Sequence, residues 1–244
     1  MVKLSINLSI VFPLYNEHER FQRFFPILKK VHQDNPAWEF IFVNDGSIDE
    51  TENLVKSMIA DFPRMKFISY QPNQGKGYAL KRGILKVTKP YVLFSDIDFS
   101  TPVAELETFI PFIKKGADVV MGTRKVKGAT ILKHQNSLRE WLGKRFTDLT
   151  NFWLRMDISD YTCGFKLFKT QVAKQLFRRQ KIKGWAFDAE ILFLAQKLGY
   201  RIVEVPVTWE NDERTKVSLG KDIIRSLLEL WRIKWHDWRG RYHC

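Results

Sequence analysis

The sequence predicts an α/β fold, a mostly parallel mixed sheet flanked by helices, and three observations carry the prediction. Apolar runs of strand length alternate with longer stretches of helical periodicity through the first half of the chain. Clusters of Asn, Asp, Gly and Ser close several of the runs. With 244 residues, 45% of them hydrophobic, the chain is long enough to bury a core beneath both faces of a sheet.

The elements follow in order. Strands are expected at 6–13, 38–44, 65–70, 91–97 and 117–122, with helices at 17–33, 49–61, 76–87 and 102–115 between them. Asp49 and Glu52 have capping-box spacing before the second helix, and Pro102 suits a helix start. Strand–helix–strand alternation at this spacing favours parallel pairing, with ligands bound beyond the carboxyl ends of the strands. The second half is less regular: a basic, aromatic helix over 134–156, a strand at 163–168, helices near 170–179 and 187–198, a strand at 201–207 and a last helix at 219–237. Residues 1–218 are expected to form a catalytic domain, and the Trp-rich helix of 219–244 to belong to the same unit.

The net charge of +13 is concentrated. Residues 123–155 hold eight Lys/Arg against two Asp/Glu, and residues 214–244 eight against three, which points to a localised anionic partner. Two cysteines form no disulfide framework or zinc spacing and suit a reducing compartment. No window reaches about 18 uninterrupted apolar residues, so no transmembrane helix is expected. The five histidines show no metal or triad spacing and read as surface residues.

Three segments have the residue types for phosphate and metal chemistry. NDGSIDET (44–51) follows a strand; it reads as a turn, or as a site where Asp45 accepts from a base or ribose and Gly46 lets a ligand approach. NQGKGYALKRGI (73–84) sets Lys76 and Gly77 at a helix start, where phosphate binds well, although a plain capped helix has the same signature. In SDIDFSTP (95–102), Asp96 and Asp98 would face opposite sides of a continuing strand, but a bend brings both carboxylates together. Two converging carboxylates suit Mg2+ or Mn2+, although a solvated turn has the same composition.

Taken together, VFPLYNE (11–17), VNDGSIDET (43–51), NQGKGYALKRG (73–83), SDIDFSTP (95–102), GTRKVKGA (122–129), DYTCGFKLF (160–168), GWAFDAEIL (184–192) and VPVTW (205–209) with Arg214 and Lys216 stand in one order. That order resembles the family-2 inverting glycosyltransferases, and within them the polyprenyl-phosphate branch of dolichyl-phosphate glucosyl- and mannosyltransferases. The resemblance spans about residues 6–235. It implies a GT-A fold, with Rossmann-like nucleotide binding, and a nucleotide-sugar donor. Matching positions imply that Pro13, Tyr15, Asn16, Glu17, Asp45, Gly46, Ser47, Lys76 and Gly77 hold the donor. They imply that Asp96 and Asp98 hold Mg2+ or Mn2+ on the diphosphate, and that Arg124 lies near the phosphates. The chain departs from the family at Asn44, where an Asp is frequent, and at Ser100, where mannosyl-transferring relatives often carry Gln. The second departure favours glucose, with UDP as the favoured nucleotide and GDP as the alternative.

A lipid-phosphate acceptor is already anionic and needs cations rather than a base; Arg124, Arg139, Arg145, Arg214 and Lys216 are the candidates. A hydroxyl acceptor on a glycan or lipid would need a base, for which Asp188, Glu190 and Asp160 are the candidates. Asp188 and Glu190 also fit a plain acidic helix start. The aromatic and basic stretches 131–156 and 227–242 fit an anionic membrane surface, on which each cation adds roughly 1 kcal/mol, or else cover the protein's own core. Together these features predict a cytoplasmic enzyme, peripherally bound to a membrane or docked on an integral membrane partner. A nucleic-acid-binding role finds no supporting motif beyond the basic charge.

Overall fold

The computed structural model describes residues 6–212 and 221–242. Strands β1 (Leu8–Leu14), β2 (Glu39–Asp45), β3 (Met65–Tyr70) and β4 (Tyr91–Ser95) run parallel. Helices α1 (His18–Asp34), α2 (Thr51–Ile59) and α3 (Lys76–Ile84) connect them. A 3-10 turn at Val103–Glu105 and helix α4 (Leu106–Lys114) lead into β5 (Val119–Thr123). After β6 (Thr130–Lys133) come α5 (Ser137–Leu154), β7 (Phe165–Lys169), α6 (Thr170–Arg179), α7 (Phe187–Lys197), β8 (Ile202–Pro206), β9 (Thr208–Glu210) and α8 (Lys221–Trp238).

The main sheet has the order β3-β2-β1-β4-β7-β5-β8, and β7 is antiparallel to both its neighbours. Both faces are covered, as the continuous apolar strands require. Alternate residues feed two cores. Ile10, Phe12, Phe40 and Phe42 pack beneath α1, α2 and α4, whereas Val11, Ile41 and Val43 pack beneath α3, α6 and α7. Phe12 stacks on Phe42 with ring centroids 5.3 Å apart. Each such buried side chain contributes about 1.5–3 kcal/mol. Leu230 and Ile233 of α8, with Tyr242 beyond it, join the core that contains α7.

The seven strands of the main sheet lie where the pattern places them, within two residues at either end. The pair β6–β9 is additional: a four- and a three-residue strand too short for periodicity to register. The capping box at Asp49 and Glu52 does not form. Asp49 Oδ1 accepts from the Thr51 amide at 3.1 Å, but Glu52 turns away to Lys56 and Ser69.

Candidate active site

The carboxyl ends of β1, β2 and β4 lie side by side, and hydrogen bonds between their loops hold them together. After Pro13 at the end of β1, Tyr15 is partly exposed and Asn16 takes a left-handed conformation at φ 53°. The Asn16 amide donates to Ser47 Oγ at 2.9 Å, its Oδ1 accepts from the Ile48 amide, and the Glu17 amide donates to Thr51 Oγ1. The Glu17 carboxylate lies 3.4 Å from Arg20, which also pairs with Asp212 at 3.2 Å and approaches Asp98 at 4.0 Å. Sequence reasoning missed Arg20. It is one cation among many on α1, and only the fold brings it to the aspartates.

At the end of β2 the structure gives expected donor-binding residues other duties. Asp45 Oδ1 accepts from Tyr70 Oη and the Gln74 amide, and its Oδ2 from Asn73 Nδ2 and the Gly75 amide, all at 2.8–2.9 Å. Both carboxylate oxygens therefore anchor the 70–75 loop at the end of β2. Burial holds the Asp45 pKa above its ordinary value despite these donors. Gly46, at φ 67°, is needed because a Cβ would lie 2.5 Å from the Asn73 amide nitrogen. Gly77 is likewise a packing residue: a Cβ there would meet Phe187 Cβ at 2.5 Å. Asn44 donates to Glu52 and Ser69 and accepts from Ser47. An Asp could not donate to Glu52, which accounts physically for Asn at this position.

Beyond β4 the chain bends, and Asp96 and Asp98 come close enough to interact. Lys76 Nζ donates to Asp96 Oδ1 at 2.6 Å, and the Ser100 amide donates to Asp98 Oδ1 at 3.0 Å. Burial, then repulsion from Asp96, pushes the Asp98 carboxyl above its ordinary pKa. Burial opposes the charge on Lys76, but Asp96, Asp188 and Asp98 outweigh it and hold the ammonium above its ordinary pKa. Gly164, just before β7, makes room for Asp96: a Cβ there would lie 2.1 Å from Asp96 Oδ2. Asp188 faces the same cluster and pairs with the buried Lys166 at 2.7 Å; Lys166 also donates to the carbonyls of Tyr161 and Cys163. Lys166 sits in an apolar strand, where nothing in its sequence neighbourhood signals this role.

The remaining candidate bases are committed elsewhere. Asp160 is fully buried and clasped by Arg124 through Nε at 2.7 Å and Nη2 at 2.8 Å. Burial alone would raise the Asp160 carboxyl, but Arg124 drives it far below the carboxylate range, which makes it a weak base. Arg124 also donates to Thr162 and stacks over Trp209, with its guanidinium carbon 5.0 Å from the ring centroid. Glu190 lies on the far side of α7 and accepts from the amides of Lys181 and Ile182 and from Tyr242 Oη. Of the expected acceptor cations, Arg139 and Arg145 stand on α5, Arg145 paired with Asp148 at 3.3 Å. Arg214 and Lys216 lie outside the described residues.

A cleft of about 810 Å³ opens beside Asp98, Phe99 and Ser100 and runs along Phe24 and Ile27 of α1. Among the described residues, no group of three or more His, Cys, Asp or Glu could hold a metal. The Asp96–Asp98 pair supplies only oxygen donors, and its mutual repulsion would be relieved by a divalent cation. The pair therefore fits Mg2+ or Mn2+ completed by ligand oxygens.

A mostly parallel sheet with paired aspartates beyond its fourth strand is the GT-A architecture of glycosyltransferases. The chain belongs to glycosyl transferase family 2, whose model matches residues 9–177. The dolichyl-phosphate beta-glucosyltransferase of Dictyostelium discoideum is 33% identical to it over 94% of this chain and 78% of that protein. The enzyme of the same name from Saccharomyces cerevisiae is 30% identical over 94% of this chain and 75% of its own length. Among solved structures, glucosyl-3-phosphoglycerate synthase from Mycobacterium tuberculosis, in complex with Mn2+, uridine diphosphate and phosphoglyceric acid, superposes with a TM-score of 0.65. It is 15% identical to this chain, and the match covers 98% of this chain and 79% of that one.

Proposed function

We propose that this glycosyltransferase moves glucose from UDP-glucose to a polyprenyl phosphate of the dolichyl type, with inversion, at the cytoplasmic face of a membrane. One observation of the site supports the choice of acceptor: the three carboxylates considered as bases for a hydroxyl acceptor each have partners in the fold. Asp160 is clasped by Arg124, Asp188 is paired with Lys166, and Glu190 is buried away from the site. A phosphate monoester needs no base, since its second pKa is about 6 and it is largely dianionic at neutral pH. The names of the relatives support the same acceptor and sugar.

In this reading a phosphate oxygen of the acceptor attacks C1 of the glucose. A C–O bond forms there as the bond from C1 to the diphosphate breaks, and the electron pair leaves with UDP. Lys76, kept protonated by its carboxylate neighbours, stabilises charge on the leaving diphosphate. Asp96 and Asp98 would hold Mg2+ or Mn2+, which supplies further neutralisation of that charge when bound. Tyr15, Asn16 and Glu17 border the donor, with the 45–47 and 70–75 loops as the frame behind it.

Among the described residues no helix is long and apolar enough to cross a membrane. Trp141, Leu149, Phe152 and Trp153 of α5 and Ile224, Leu228, Trp231 and Trp238 of α8 are exposed, with Arg and Lys between them. Apolar and cationic surface of this kind supports docking on anionic lipid.

Incubation with labelled UDP-glucose and either polyprenyl phosphate or a saccharide tests the reading. Acid-labile lipid-linked glucose, formed only with the phosphate and only with Mg2+ or Mn2+, is expected. Product formed only with the saccharide overturns it. Cosedimentation with phosphatidylserine vesicles, weakened by salt, is expected if α5 and α8 dock.

A further inference from the structure

We propose that Glu229 of α8 is a positioning residue for the transfer site, acting through the 183–188 turn that precedes α7. The proposal rests on the glycosyl-transfer reading above and adds the C-terminal helix to its machinery.

Glu229 is 3% exposed on the inner side of α8. A carboxylate is costly to bury unless it meets donors. Here Oε2 accepts from the Ala186 amide at 3.1 Å, and Oε1 lies 3.5 Å from Arg225 Nε. The fit over the turn is tight. A Cβ on Gly184 would lie 2.2 Å from Glu229 Oε1, so the turn and the carboxylate touch.

The other side of the same turn rests on the loop that Asp45 anchors. The Lys183 carbonyl accepts from the Tyr78 amide at 3.2 Å, and it would stand 2.6 Å from a Cβ on Gly75. Lys183 Nζ donates to Gln74 Oε1 at 2.8 Å. Between these two supports the turn carries Trp185, whose ring centroid is 5.7 Å from Lys76 Nζ, and it leads directly into Asp188. Glu229, the turn, Lys76 and Asp96 are thus linked by successive direct contacts. Removal of the carboxylate frees the Ala186 amide and loosens Trp185 over Lys76, without touching donor or acceptor.

Three variants test this in the full chain: Glu229→Ala, Glu229→Gln, which keeps an acceptor for Ala186, and Tyr242→Phe. The last removes another buried bond of the C-terminal segment, to the Glu190 carboxylate, which holds the Lys181 and Ile182 amides before the turn but makes no bond to residues 183–188. Misplacement of a site by about 1 Å can cost ~10²-fold in rate, so Glu229→Ala is expected to lower kcat by ~10–100-fold, with KM for UDP-glucose little changed. Glu229→Gln is expected to restore most of kcat, and Tyr242→Phe to lower Tm while keeping kcat. Hydrogen exchange is expected to quicken at 183–188 and at 73–77 in Glu229→Ala alone. Unchanged kcat in Glu229→Ala, an equal fall in Tyr242→Phe, or unchanged exchange at 73–77 overturns the proposal. If Glu229→Ala does not fold, Gly184→Ala, whose methyl displaces the carboxylate, carries the same test. If the wild type transfers glucose to no polyprenyl phosphate, the functional reading fails, while exchange still decides whether Glu229 holds the turn.

Discussion

Asp96 and Asp98, and Asp188 and Glu190, are both carboxylate pairs spaced by one residue, and the fold treats them in opposite ways. The first pair follows β4 and bends, so its carboxylates come close enough to repel each other and meet Lys76 and Arg20. The second opens α7, where residues two apart lie on opposite sides of the helix. Asp188 turns toward the site and Lys166, whereas Glu190 turns to the Lys181 and Ile182 amides and Tyr242. Equal spacing thus yields a candidate metal site in one case, and in the other one site-facing and one structural carboxylate. Backbone conformation, rather than spacing, decides which.

Four variants probe that contrast, the largest expected effect first. Asp98→Ala removes half of the converging pair; transfer is expected to fall by about 10³-fold with the melting temperature kept, measured by product formation. Donor turnover left intact by this variant would break the metal assignment. Lys166→Met strands Asp188, and removal of one partner of a buried ion pair costs ~3–5 kcal/mol, read from denaturant unfolding.

Glu190 tests the second pair through pH. Burial, outweighing the hydrogen bonds from Tyr242, Ile182 and Lys181, pushes its carboxyl up to about 7 from 4.5. The folded protein therefore holds a proton that the unfolded chain releases. This contribution is complete below pH 4.5 and is lost as pH rises through 7. Glu190→Gln is expected to flatten that part of the stability–pH curve, by at most ~3 kcal/mol, in melts recorded at pH 5 and pH 7.5. A slope unchanged by the substitution would show that Glu190 is already ionised. Gly164→Ala sharpens the first pair: its methyl would displace Asp96, and a loss of about 10²-fold in kcat with an intact fold is expected.

The same distinction separates what could be read in the sequence from what could not. The main strands were legible because apolar runs buried on both faces, such as EFIFVN, leave few alternatives. Asp96 and Asp98 were legible because acidic residues at a strand end need a reason. The partners were not. Lys166 reads as an outlier in an apolar strand, Arg20 as a surface cation and Glu229 as one acid in a basic helix, since each acquires its role from residues 22 to 78 positions away. Asp45 shows the converse. Its motif drew attention to it, but the loop it anchors, through four donors from residues 70–75, could not be read from the motif.

The reversed strand β7 has a consequence for the order in which the protein becomes competent. It lies between β4 and β5, with the registers Leu93↔Leu167 and Val120↔Leu167. During synthesis the first four strands can pair while β4 still presents an open edge, and an open edge invites association with other chains. Gly164, which gives Asp96 its room, and Asp160, which clasps Arg124, arrive with the segment that closes that edge. A nascent chain that stops before residue 165 carries both aspartates but lacks β7 with Lys166, and Asp188 of α7. β7 closes the edge and brings Lys166, and the site is finished only when α7 sets Asp188 against it.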